Sequence, residues 1–181
     1  MSETTDRPVV LVIDDEIDLV QIMELWLDDA YEVRTATSGE EGLDALDDAV
    51  DVVLLDRRMP GVSGDDILAA IRDRSYDFQV GLVTAIAPDF DLIDLDFDTY
   101  VTKPLDETSV IATVERLLAR TNYDASVQER YTVAETLALL EQTKTKAERA
   151  TSDRYRQLKE QLSKLDETVA TEANELARED R

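Results

Sequence analysis

The sequence predicts an α/β fold, in which helices cover both faces of a parallel β-sheet, followed by a helical extension. Short apolar runs bounded by turn residues, such as Val9–Ile13 and 52–55, are typical of strands buried on both faces of a parallel sheet. These runs alternate about five times with helical patterns, which favours parallel strands joined by right-handed crossovers. From Leu105 to Arg181 there is neither glycine nor proline, which favours helix to the end of the chain.

The length of 181 residues favours one domain with an extension. We expect the first domain to cover residues 8–121 and the helical extension to cover residues 122–181.

The first elements follow from apolar patterning. The run Val9–Ile13 predicts a strand that ends in Asp14, Asp15 and Glu16, and a helical pattern from Ile17 gives way at Asp28. A second strand is predicted from Tyr31 to Ala36. Ser38 is expected to cap the next helix, with Glu41 completing a capping box.

The central stretch begins with a strand that stops abruptly at Asp56. Pro60, Gly61 and Gly64 break the extended chain before a helix that carries Ile67, Leu68 and Ile71. A fourth strand is predicted over Gln79–Thr84, a fifth over Thr99–Thr102 and a closing helix over Asp106–Arg120. Between the fourth and fifth strands there is room only for a short helix, with Pro88 in its first turn.

The extension carries two helical patterns. Ser126 and Glu129 predict a capping box, and the helix that follows would have an apolar side formed by Val127, Tyr131, Ala134, Leu137 and Ala138. Beyond a polar stretch, an a/d seam is formed by Tyr155, Leu158, Leu162, Leu165, Val169 and Leu176. A helical hairpin or a two-stranded coiled coil explains this seam better than a helix packed back on the first domain.

Composition excludes several kinds of chemistry. The chain has no cysteine and no histidine, so it has no thiol nucleophile, no thiolate metal site and no histidine general base. The net charge of −23 opposes simple attraction to DNA or anionic lipid. This acidic surface resembles proteins of salt-accumulating archaea, although an ordinary acidic protein is the alternative. A polar start and the lack of a long apolar run predict a cytoplasmic protein without a membrane span.

Three predicted strand ends carry carboxylates or an amine. Asp14, Asp15 and Asp56 would meet at one edge of the sheet, where a hard divalent ion such as Mg²⁺ would relieve their repulsion. Lys103 is the only lysine in the first 121 residues and follows the fifth strand. It could hold phosphoryl oxygens there, whereas a solvated surface lysine is the simpler interpretation. Thr84 could donate to the same oxygens or simply end its strand, and Tyr100 could be a core or a mobile aromatic.

These segments together resemble the receiver domain of two-component response regulators. The resemblance runs from about Pro8 to Arg120 and includes Val-Ile-Asp14-Asp15-Glu, Leu-Leu-Asp56-Arg-Arg-Met-Pro, Val-Thr84-Ala and Tyr100-Val-Thr-Lys103-Pro. It implies a flavodoxin-like five-stranded sheet in the order 2-1-3-4-5. The interval from Thr84 to Lys103 is shorter than usual for the family, and the extension resembles the HalX domain of haloarchaeal regulators.

The resemblance also implies roles for individual residues. Asp56 would be the phosphoacceptor, Asp15 a direct Mg²⁺ ligand and Asp14 a ligand through water, with the backbone carbonyl of Arg58 completing the protein ligands. Lys103 and Thr84 would bind phosphoryl oxygens, and Tyr100 would be the switch aromatic.

The expected function is therefore phosphoacceptor signalling rather than enzymatic turnover. A sensor histidine kinase would donate the phosphoryl group, and the product would change protein contacts, including a homodimer through the tail or through the face around the fold's fourth and fifth helices. A phosphatase with an aspartate nucleophile is the rival, but it would need an acid where Arg58 stands. A DNA-binding regulator acting through the tail is the alternative output, because Lys144, Lys146, Arg149, Arg154, Arg156 and Lys159 form a basic run.

Overall fold

The computed structural model of the chain describes the backbone of residues 7–74, 76 and 78–179 and the side chains of these residues up to Glu172. The described residues form two compact units. The first unit lies within Met1–Ile86 and Asp96–Asn122, and the second lies within Ala87–Leu95 and Tyr123–Arg181.

The first unit is a five-stranded parallel sheet with helices on both faces. Its elements are β1 (Val9–Ile13), α1 (Ile17–Leu27), β2 (Glu32–Ala36), α2 (Gly39–Ala45), β3 (Val52–Leu55), α3 (Gly64–Asp73), β4 (Gln79–Thr84), β5 (Thr99–Thr102) and α4 (Glu107–Arg120). The strand order is β2-β1-β3-β4-β5, and all neighbours are parallel. The predicted fold and strand order are confirmed.

Alternate residues of the central strands serve the two faces of the sheet. Val10 and Val12 of β1 lie in one apolar cluster with Val20 and Met23 of α1 and Val114 of α4. Because side chains alternate along a strand, the other β1 residues face the opposite side of the sheet, where Ile13 lies against Gly42 of α2. Both faces are covered, which explains why the central strands are continuous apolar runs rather than alternating ones.

The helix ends follow the predicted caps only in part. Ser38 caps α2 by accepting from the Glu41 N–H, but the Glu41 carboxylate turns to Thr37, so the predicted capping box is incomplete. In the second unit, α5 (Ala125–Thr143) is preceded by Asp124, and Ser126 lies inside the helix. The prediction that Ser126 caps this helix was wrong, because its hydroxyl donates to Glu172 of another helix instead.

The second unit contains an antiparallel helical hairpin. Its elements are a 3-10 helix (Phe90–Asp94), α5, α6 (Lys146–Thr151) and α7 (Asp153–Glu179). Ser126 meets Glu172 at one end of the hairpin, and Glu141 meets Tyr155 at the other, which fixes the antiparallel arrangement of α5 and α7. Of the two predicted arrangements, the hairpin within one chain is found.

The hairpin core uses the predicted seam. Tyr155 and Leu158 are buried, with Leu162 and Leu165 packed beside them, and the cluster is completed by Val133, Leu137 and Leu140 of α5. Only Leu137 of the predicted apolar side of α5 is fully buried, while Tyr131 and Ala138 are exposed. Leu176 of the predicted seam lies within α7, but its side chain is not among those that the structure describes.

The connection between β4 and β5 differs most from expectation. The predicted short helix is the 3-10 helix, which begins after Asp89 as its N-cap, so Pro88 precedes the helix and does not lie in its first turn. The segment that contains it, Ala87–Leu95, belongs to the same compact unit as the hairpin. The expected division between residues 121 and 122 remains a prediction.

Candidate functional site

The carboxyl ends of the strands are tied together by backbone hydrogen bonds beyond the strand limits. The Asp14 N–H donates to Ala36 O at 3.1 Å, and the Asp56 N–H donates to Ile13 O at 2.8 Å. The Lys103 N–H donates to Thr84 O at 2.9 Å. The parallel register therefore brings the predicted site residues to one edge of the sheet.

Three carboxylates meet at this edge. One oxygen from each of Asp14, Asp15 and Asp56 lies within 4.8 Å of the others. Asp14 and Asp56 are buried, at 1% and 5% exposure, while Asp15 is exposed. Burial raises the pKa of Asp56 to about 6, since the neighbouring carboxylates add to desolvation and outweigh the opposing charge of Lys103. Burial also raises the pKa of Asp14.

Lys103 reaches into this carboxylate cluster. Its Nζ lies 2.7 Å from Asp14, 2.6 Å from Glu16 and 3.7 Å from Asp56. Burial by itself would lower the pKa of Lys103, but its contacts with Asp14 and Glu16 raise it. Glu16 was not predicted to take part in the site, although a third acid directly after a strand is the kind of signal that points to such a partner.

The residues at this edge fit a hard divalent cation. Their donor atoms are carboxylate oxygens, which is the ligand type that Mg²⁺ prefers. Asp14 Oδ2 is buried and lies 2.7 Å from the Lys103 ammonium, so this oxygen already faces a positive charge. The three carboxylates form a group with the spacing of a metal site.

The loop after Asp56 is held close over the strand end. A Cβ placed on Gly64 would lie 2.2 Å from the Asp56 carbonyl oxygen, so only glycine allows this approach. The buried Arg57 guanidinium binds Asp65 in a bidentate pair, at 2.9 and 3.1 Å. These contacts fix the turn that presents Asp56, and the Arg57–Asp65 pair was not predicted from the sequence.

The remaining predicted site residues lie in or shortly after strands that end at this edge of the sheet. They are Thr84, Tyr100 and Arg58. Thr84 is buried at the end of β4, and its hydroxyl accepts from the Ile86 N–H at 3.3 Å. Tyr100 is buried to 6% exposure, and its hydroxyl donates to Ile86 O at 2.6 Å. The Arg58 side chain is exposed in the loop after β3. The roles assigned to these residues remain predictions.

Comparison with known families decides the identity of the first unit. The model described as "Response regulator receiver domain" matches residues 10–115, which is more than half of the chain. The chain belongs to the response regulator receiver family. The model described as "HalX domain" matches residues 119–181, so the helical extension is a HalX domain. Receiver domains of response regulators are phosphorylated by sensor histidine kinases.

Similar proteins are regulators from archaea and bacteria. A putative transcriptional regulator of Haloferax volcanii is 48% identical over 134 residues, covering 74% of this chain and 23% of that protein. Response regulator SaeR of Staphylococcus epidermidis is 35% identical over 115 residues, covering 61% of this chain and 50% of that protein. The matched part of the chain thus spans 23% to 50% of the length of these curated relatives.

A solved structure supports the receiver architecture. Response regulator TrrA of Thermotoga maritima, crystallised in complex with Mg²⁺ and BeF, is 33% identical with a TM-score of 0.55. The alignment covers 61% of this chain and 99% of that chain.

The basic run of the HalX domain is largely engaged in ion pairs inside its own unit. Lys144 pairs with Asp89 at 2.9 Å, and Arg149 lies 3.5 Å from Glu141. Two further members pair with acids as well, Arg154 with Asp94 and Arg156 with Asp153. The local positive charge that the sequence indicates is therefore largely balanced by neighbouring acids. No helix in the described part of the chain is long and apolar enough to cross a membrane.

Proposed function

We propose that this receiver domain accepts a phosphoryl group on Asp56 and that the HalX domain conveys the phosphorylated state to a protein partner. The observation that carries the proposal is the position of the Asp56 carboxylate, buried beside two other carboxylates and 3.7 Å from the Lys103 ammonium. A nucleophilic carboxylate next to a cationic group is the arrangement that phosphoryl transfer requires.

The reaction begins with phosphohistidine on a sensor kinase. A carboxylate oxygen of Asp56 attacks phosphorus, the P–O bond forms, and the P–N bond breaks with its electron pair returning to the histidine of the kinase. Lys103 balances charge on the phosphoryl oxygens, for which it must exchange part of its contact with Glu16. Glu16 is exposed, so water can solvate its carboxylate when Lys103 moves away, and the loss of this contact costs little free energy.

Asp14, Asp15, Asp56 and the Arg58 carbonyl would hold Mg²⁺ in this proposal. The bound ion would supply positive charge to the phosphoryl oxygens and would neutralise the repulsion among the carboxylates.

Thr84 supplies the change that follows phosphorylation. Its hydroxyl would turn to donate to a phosphoryl oxygen, which ends its role as acceptor for the Ile86 N–H. Tyr100, the expected switch aromatic, is buried at 6% exposure, so we do not assign it an inward movement. Its hydrogen bond to Ile86 O would instead hold the ring while the backbone at Ile86 adjusts.

Labelling with a small phosphodonor tests the acceptor. The full chain in molar KCl with Mg²⁺ should take up one phosphoryl group from acetyl phosphate, and Asp56→Asn should take up none. Asp29→Asn, which removes an exposed carboxylate in the turn after α1, should label normally. Labelling of the Asp56→Asn chain would refute the assignment, and steady hydrolysis of a phosphomonoester by the unaltered chain would favour a phosphatase.

Control of transcription through DNA is the second candidate output. Its support is the name of the Haloferax relative, a putative transcriptional regulator. We favour a protein partner or a second copy of the chain because four basic side chains of the tail already bind acids and the net charge of the chain is −23. Binding of the full chain to duplex DNA that weakens steeply with added salt would reverse this preference.

A further inference from the structure

The segment between β4 and β5, residues 87–95, is part of the core of the HalX hairpin. Phe90 and Ile93 pack on the apolar cluster formed by α5 and α7, which includes Leu140 and Tyr155. The 3-10 helix of this segment contacts both helices. By sequence the segment lies inside the receiver domain, yet by packing it completes the domain that follows.

Charged groups hold the segment at both of its ends. At the start, Lys144 of the hairpin pairs with Asp89 at 2.9 Å and lies 5.5 Å from the centre of the Phe90 ring. At the end, Arg154 of α7 pairs with Asp94. The contact with Lys144 lowers the pKa of Asp89. Two ion pairs and two apolar side chains therefore bind a stretch of nine residues to the hairpin.

The residue just before the segment is bonded to both candidate switch residues. Ile86 donates its N–H to the Thr84 hydroxyl and accepts from the Tyr100 hydroxyl at its carbonyl. The next residue, Ala87, begins the segment. A change at Thr84 therefore reaches the segment through a single residue of backbone.

We propose that residues 87–95 are an internal docking element through which phosphorylation of Asp56 loosens the HalX hairpin of the same chain. This inference rests on the proposed phosphoacceptor function. When the Thr84 hydroxyl turns to the phosphoryl group, the Ile86 N–H loses its acceptor and the start of the segment shifts. Because Phe90 and Ile93 are packed against α5 and α7, the shift disturbs the hairpin core directly.

The coupling has a reciprocal consequence. If the phosphorylated state weakens the contact between the segment and the hairpin, then cutting that contact in advance must favour the phosphorylated state by the same factor. Lys144→Met combined with Arg154→Met removes both ion pairs and leaves the apolar cluster intact. Arg130→Met is the control, since the described ion pair of Arg130 is with Asp166 on the same hairpin and does not involve the segment.

Hydrogen exchange with beryllofluoride as the phosphoryl mimic tests the proposal. We expect beryllofluoride with Mg²⁺ to speed exchange in residues 133–143 and 153–165 of the full chain and of the Arg130→Met chain. In the double variant these residues should exchange quickly even without the mimic, and the affinity for beryllofluoride should rise by about fivefold.

The outcomes separate this proposal from the function on which it rests. If beryllofluoride protects residues around Asp56 but leaves exchange in α5 and α7 unchanged in the full chain, the docking proposal is overturned and the phosphoacceptor function stands. If the mimic changes exchange nowhere, both fail. An equal gain in affinity in the double variant and in the Arg130→Met control would also overturn the proposal, because the effect would then come from general loosening of the hairpin.

Discussion

Asp56→Asn should stabilise the first unit at neutral pH when a chelator removes divalent cations. In the folded chain the pKa of Asp56 is raised from 3.8 to about 6, chiefly by burial. Between these two values the unfolded chain has lost the proton and the folded chain keeps it, so stability falls as pH rises through this window. Above the folded value both states are ionised, and the buried charge remains a constant cost.

The size of the effect follows from the shift. A rise of about two pKa units corresponds to about 3 kcal/mol. Asp56 lies at the edge of the sheet, where solvent screens part of this cost, so we expect the asparagine variant to be more stable by about 2 kcal/mol at pH 7.5. At pH 5 the folded wild type keeps most of its proton, and the gain should fall to about 1 kcal/mol.

Fluorescence of Trp26 makes the measurement specific to the first unit, since this residue is the only tryptophan in the chain and lies on α1. Urea unfolding of the wild type and of Asp56→Asn would be followed in molar KCl with chelator at both pH values. Asp29→Asn controls for the loss of one negative charge, because Asp29 is exposed. Adding Mg²⁺ should stabilise the wild type more than the asparagine variant, by mass action on the folded state.

Two results would refute this reasoning. An asparagine variant no more stable than Asp29→Asn at pH 7.5 would mean that the ionised Asp56 carries no burial cost. A gain of equal size at both pH values would mean that the stabilisation comes from something other than the proton on Asp56.

Three further predictions use urea unfolding or labelling with acetyl phosphate. Gly64→Ala should lower the free energy of unfolding by at least about 2 kcal/mol, since its Cβ would overlap the Asp56 backbone. Gly81→Ala should lower it by less than about 1 kcal/mol, because the added Cβ would meet only side-chain atoms, at 3.2 to 3.3 Å. Equal losses in the two variants would contradict this. Asp98→Ala should cost about 3 kcal/mol, because it leaves the buried Val80 N–H without its acceptor and removes one of the two carboxylates that pair with Arg72. An unchanged unfolding midpoint would count against that. Lys103→Met should slow labelling by acetyl phosphate about a hundredfold, as the ammonium balances charge on the phosphoryl oxygens, and labelling at the wild-type rate would exclude that role.

The sequence predicted the first unit well because its signals are local and agree with one another. Three apolar runs of strand length and two more polar strand patterns, separated by helical patterns, favour a parallel sheet with its central strands covered on both faces. Once the strands are parallel, their carboxyl ends share an edge, so residues as far apart as Asp14, Asp56 and Lys103 had to meet. Position at a strand end, rather than residue type alone, identified the site.

The ion-pair and hydrogen-bond partners of the site residues could not be predicted from the sequence in the same way. Lys103 bonds Glu16 as well as Asp14, and Arg57 turns to Asp65, although the chain offers many other acids. Which of several acids a cation meets depends on rotamers and loop paths, and a chain with 42 acidic residues gives little sequence basis for choosing. The start of α5 at Asp124 rather than at Ser126 was not predicted for a similar reason, since the Ser126 hydroxyl donates to Glu172, which is distant in sequence.

Residue patterns along the chain are enough to predict a covered parallel sheet with carboxylates and one lysine at its edge, followed by helices with an apolar seam. Periodicity fixes which face of a helix is apolar, but it does not say what will cover that face. The folded structure was needed to show that α7 folds back on α5 within one chain, and that Phe90 and Ile93 complete their core. Nine residues between two receiver strands thus belong by packing to the HalX domain, because burial of apolar surface depends on proximity in space and not on order along the chain.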